Sequence, residues 1–126
     1  MIALPDGWVQ LERPDGRRMY SCDEGESVLE IAVLPWDAPR DRPMTSHVAL
    51  LATLLRDVRL GRIVTSAEMK LAYGPALFAE VSGEETADAM AWLIVPAAGD
   101  VLLLTWLGND TSSSQEVLDI VYALRA

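Results

Sequence analysis

Met90-Ala91-Trp92-Leu93-Ile94-Val95 and Val101-Leu102-Leu103-Leu104-Thr105-Trp106-Leu107, separated by Pro96-Ala97-Ala98-Gly99-Asp100, decide the fold. Both runs are short, rich in large apolar residues and joined by a Pro, Gly and Asp turn, so they read as a β-hairpin. A strand with one wet face alternates apolar and polar residues, whereas these are apolar at nearly every position, so both faces must be covered.

The chain on either side supplies the covers. Downstream, Thr111-Ser112-Ser113-Ser114 opens a helix, with Ser112 and Gln115 or Ser113 and Glu116 at capping-box spacing. Its inner face is Val117, Ile120, Val121 and Leu124. Upstream, Leu77 to Val81 reads as a strand ended by Gly83-Glu84-Glu85. Another, Ile63 to Tyr73, alternates around Met69, Leu71 and Tyr73 before Gly74-Pro75 turns it. Before these the period becomes helical: Met44, Val48, Leu51, Leu55 and Val58 follow at spacings of four, three, four and three. Leu50 and Leu54 widen that stripe, and Gly61 is expected to end the helix.

Pro35 to Pro43 holds three prolines and alternating charges, so it must be a loop. The first third reads as three strands joined by tight turns. Trp8 to Leu11 is followed by Pro14-Asp15-Gly16, Met19 to Cys22 by Asp23-Glu24-Gly25-Glu26, and Val28 to Leu34 places Leu29, Ile31 and Val33 on one side. No repeat, low-complexity tract or long linker divides the 126 residues, so one domain is expected over 1–126. The fold class is α+β, a mainly antiparallel seven-stranded sheet in the order β-β-β-α-β-β-β-β-α. One helix is expected on each face, an α/β/α sandwich, because two helices are available and two faces need cover. A second subunit covering one face, and hence a homodimer, is the alternative.

Charge narrows the partners. The net charge is −9, and residues 71–126 carry one basic group, Arg125, against eight acids. Nucleic acid and anionic lipid are disfavoured, because phosphate binding needs clustered Lys or Arg. No apolar run approaches the roughly 20 residues of a membrane span. Met1 to Asp6 shows no secretory signal, so a cytoplasmic location is expected.

The chemistry-bearing residues form no recognisable constellation. His47, the single histidine, has no identifiable nucleophile or orienting acid and reads as a partly exposed structural residue. Cys22, the single cysteine, cannot close an intramolecular disulfide and reads as a buried, inert thiol. The acids Asp23, Glu24, Glu26, Glu84 and Glu85 lack calcium-loop spacing, and the glycines are isolated at turns, so neither phosphate-loop nor dinucleotide motif exists. No catalytic residue, metal or cofactor is expected.

Four tryptophans stand beside a single phenylalanine. Trp92, Trp106 and Trp8 read as core. Trp36 lies in the proline-rich loop and reads either as a lid on the core or as a contact residue with Arg40 and Arg42, since Trp and Arg dominate interface energetics.

The element order, Leu4-Pro5-Asp6-Gly7-Trp8, the Tyr73-Gly74-Pro75-Ala76-Leu77-Phe78-Ala79-Glu80 turn and strand, Leu103-Leu104-Thr105 and the closing Ala123-Leu124-Arg125 together resemble the PsbP-like superfamily. The likeness is nearest its small bacterial branch of DcrB-like proteins and the Eag chaperones of type VI secretion. It covers nearly the whole chain and implies a mostly non-catalytic protein, with no catalytic motif to carry over. The expectation is therefore a protein-binding module, an adaptor or secretion-associated chaperone, contacting another protein beside the Trp36–Pro43 loop or along an exposed sheet edge. The alternative is a small-ligand or lipid-binding domain with a cavity between sheet and helix, lined by Met44, Met69, Met90 and nearby aromatics.

Overall fold

A computed structural model describes residues 8–12, 18–22, 27–82, 88–108 and 111–124. The turns expected at 14–16, 23–26 and 83–85 lie outside them, as do the side chains of Cys22 and of the capping residues Ser112 to Glu116.

Seven strands form one antiparallel sheet: β1 (Trp8–Glu12), β2 (Arg18–Cys22), β3 (Ser27–Leu34), β4 (Arg62–Lys70), β5 (Pro75–Ser82), β6 (Asp88–Ile94) and β7 (Val101–Gly108). A 3-10 turn, Met44–His47, leads into α1 (Val48–Asp57), and α2 (Thr111–Ala123) closes the chain. The spatial order is β1-β2-β3-β7-β6-β5-β4, so the hairpin that decided the fold occupies the middle.

Opposed residues in adjacent strands share a face. Leu29, Trp106 and Met90 form one such row, and Ile31, Leu104, Trp92 and Phe78 the next. This Trp92 face packs Trp8, Tyr20, Leu29, Ile31, Trp92, Leu102, Leu104 and Trp106 in one cluster with Val117, Ile120 and Val121 of α2 and with Leu124 just beyond it. The alternate residues, Leu77, Ala79, Ala91, Leu93, Val101 and Leu103, cluster with Met44 and with Leu51 and Leu55 of α1. The two-sided apolar pattern of β6 and β7 thus corresponds to two separate cores. In the first, the Trp106 indole donates from Nε1 to Ser27 Oγ at 2.7 Å, satisfying a buried polar group across the β3–β7 junction.

Several boundaries differ from expectation, each for a local reason. The helical stretch from Met44 begins as a 3-10 turn: Thr45 N–H donates to Glu68 Oε1 at 3.1 Å and Ser46 N–H to Pro43 O at 3.0 Å. Gly61 does not cap α1. Leu60 N–H reaches back to Leu55 O and Arg59 N–H to Arg56 O, a Schellman ending whose left-handed residue is Arg59, at φ 58°. Gly61 serves another purpose: at φ 141° it lies so close to Ser82 O of β5 that any Cβ would collide. Strand β4 stops at Lys70 rather than Tyr73, because Leu71 and Gly74 exchange two backbone hydrogen bonds of 3.1 Å in a tight turn. Among the described residues no helix is long and apolar enough to cross a membrane.

Candidate functional site

The segment between β3 and the 3-10 turn holds the three residues expected to make a contact. Trp36 is half-buried and packs against the core of Leu51, Leu55 and Leu93. Its ring meets His47 edge-on, with centroids 5.2 Å apart and an interplanar angle of 78°. Its Nε1 is buried and has no hydrogen-bond partner among the described residues. Arg40 is turned onto the β6–β7 connection, where Nη1 donates to Pro96 O at 2.9 Å and Gly99 O at 2.8 Å. Arg42 is exposed and lines a shallow groove of about 430 Å³ with Pro43, Met44, Glu68, Met69, Lys70 and Pro75. Two of the three side chains are thus engaged within the chain, and one faces solvent.

His47 is buried, not partly exposed as expected. The sequence placed it correctly at the start of the helix, but the indole of Trp36 closes over it. Burial, reinforced by the nearby Arg42 guanidinium, pushes the imidazole below its ordinary 6.5, so the neutral form is favoured.

Met44 and Met69 line the shallow groove together, but Met90 is not part of its wall. Met44 is buried in the α1 core, whereas Met69 and Met90 pack at the margin of the α2 core. Near them Phe78 and Trp92 stack at 5.5 Å. Met90 is level with Trp106 in the sheet, whereas Met69 also reaches the groove beside Met44. Among the described residues no three His, Cys, Asp or Glu side chains gather into a metal-binding group.

Another concavity lies on the Leu93 face. Leu54, Asp57, Val58 and Leu60 form one wall at the end of α1. Val28, Glu30, Ala32 and Leu34 of β3, with Leu103, Thr105 and Leu107 of β7, form the floor of this trough of about 470 Å³. The same face continues outward, because Leu107 is level with Val28 and Ser21, and Ser21 with Val9. Leu107 and Leu11 are each 43% exposed, Val58 also 43%, and Val9 54%. A seven-stranded sheet is about 29 Å wide and a helix about 10 Å across, so α1 spans only two or three strands. Among the described residues, strands β1 to β3 contribute no fully buried apolar residue to the α1 core.

This trough was absent from the sequence reading, although its signal was present. Leu50 and Leu54 made the α1 stripe wider than one core requires, and Val28, Ala32 and Leu34 gave β3 a second apolar side. Their neighbour Val33, on the other side with Leu29 and Ile31, is 55% exposed at the strand end.

No protein-family description matches the chain, and no curated protein is significantly similar to it in sequence.

Proposed function

We propose that the chain is a non-catalytic protein-binding module, an adaptor or chaperone in the cytoplasm. Its contact surface is the uncovered half of the Leu93 face, not the Trp36–Arg42 loop. One observation carries this reading: the apolar trough between α1 and β3 continues onto exposed Leu11 and Val9, beyond what a single wall needs. Contiguous exposed apolar surface mostly marks interaction sites. The reading includes an α/β/α sandwich with one helix on each face, supported by the split of core residues between Leu51 and Leu55 on one side and Val117 and Ile120 on the other. The resemblance to PsbP-like proteins, mostly accessory subunits and chaperones, points the same way.

A small apolar ligand is the second reading, favoured by the trough's volume of about 470 Å³, within the range of roughly 300–1,000 Å³ usual for such sites. The two separate on three proteins: wild type, Leu107→Asp in the trough, and Val64→Asp on the exposed β4 edge. A protein partner purified with wild type should rebind as an isolated component, rebind Val64→Asp equally, and fail to bind Leu107→Asp. Melting-temperature increases with small apolar ligands, lost in Leu107→Asp and unaccompanied by any protein partner, would replace the first reading with the second.

A further inference from the structure

We infer that the trough takes an amphipathic α-helix of another protein, with lysine or arginine flanking its apolar stripe. The inference rests on the protein-binding reading and adds the shape and charge of the partner.

Shape comes first. Leu50, Leu54 and Val58 lie at i, i+4 and i+8 on one flank of α1, with Leu50 40% and Val58 43% exposed. Such a row is a ridge about 12 Å long, half of a helix-to-helix contact. Beside it, β3 to β1 offer a floor about 10 Å wide, enough for one more helix at the usual 8–10 Å separation. A strand would need a free sheet edge, whereas the trough lies on a face.

Charge selects among helices. Asp57 stands exposed on the same flank as Leu54 and Val58, and among the described residues the trough contains no basic side chain. Glu30 in the floor adds to the negative sign, but it has interactions within the chain, so Asp57 is the carboxylate that carries the argument. Arg56, at 100° per residue, projects about 160° away from Leu54. A second copy is the wrong occupant: a twofold contact would set this patch, with carboxylates and no basic side chain in its lining, against an identical one, in chains each carrying −9.

The test uses the full chain and two synthetic helical peptides of about 18 residues with the same leucine stripe, one flanked by lysines and one by glutamates. The lysine peptide should bind about tenfold more tightly at low salt, with the preference shrinking near 0.5 M salt. Asp57→Lys should abolish that preference without lowering the melting temperature, since a cation is favoured at a helix C-terminus. Val58→Asp should lose both peptides. Equal binding of both, lost in Val58→Asp, overturns the charge assignment and leaves the docking reading standing. Binding of neither, or binding untouched by Val58→Asp, overturns both. Self-association of wild type that Val58→Asp removes would make a second copy the occupant and overturn the inference.

Discussion

Strands β5 to β7 and strands β1 to β3 present similar apolar side chains on the Leu93 face, and they meet opposite fates. Leu93 is fully buried beneath α1, whereas Leu11 of β1, on the same face of the sheet, is 43% exposed. Composition does not separate them, since Val9, Leu11 and Val28 are as apolar as Val81 and Val95. The difference is supply: a helix shields only two or three strands, and among the described residues the buried Leu51 and Leu55 of α1 cluster with β5 to β7. The Trp92 face is better closed because Trp8, Tyr20 and Trp106 themselves fill space beside α2.

The sharpest way to break this comparison is to truncate one leucine in each half. Leu93→Ala should lower the unfolding free energy by about 3 kcal/mol in equilibrium urea denaturation, through lost transfer energy and a cavity. Leu11→Ala should lower it by less than about 1 kcal/mol, as an exposed position does. Similar losses would erase the distinction between the halves.

The next effect concerns the segment that closes the covered half. Trp36→Ala should cost about 2 kcal/mol, less than a fully buried indole, and leave partner binding intact. Lost binding at unchanged stability would return the contact to the loop. A pH-dependent effect follows from His47. Its folded pKa is depressed, so the unfolded chain binds the proton more readily. The stability it contributes is present above about 6.5 and is lost as pH falls through the folded value. The melting temperature of wild type should therefore fall more between pH 7.5 and 5.5 than that of His47→Gln, measured by calorimetry. Parallel slopes would show that the imidazole is not held neutral. The smallest effect lies at the other end of α1, where Arg59→Gly should stabilise by about 0.5 kcal/mol by relieving a left-handed residue. Destabilisation would mean that the arginine side chain supports the wall of the trough.

Much of this architecture was legible because periodicity reports burial. Continuous apolar runs at 90–95 and 101–107 called for cover on both sides, and Val117, Ile120 and Val121 of the last helix, with Leu124 just after it, are buried, as their spacing implied. The site was less legible. A stripe of seven apolar residues from Met44 to Val58 says that the helix is widely apolar, not which flank is left over; that depends on how many strands it can span. Likewise His47 looked half-exposed, since nothing local reveals that Trp36, eleven positions earlier, folds back over it. Gly61 looked like a helix cap because the close approach to Ser82 comes from a strand twenty residues further on.

The hydrogen bond between Trp106 and Ser27 joins groups 79 residues apart and sits where β3 meets β7. Every other neighbouring pair in the sheet is consecutive along the chain. Strands β1 to β3 and β4 to β7 can therefore each zip up locally, while their union must close a long loop and bears most of the entropic cost. That junction is expected to set the folding rate. If it forms after the rate-limiting barrier, Ser27→Ala will speed unfolding and leave refolding unchanged in stopped-flow measurements; slowed refolding would place it inside the nucleus.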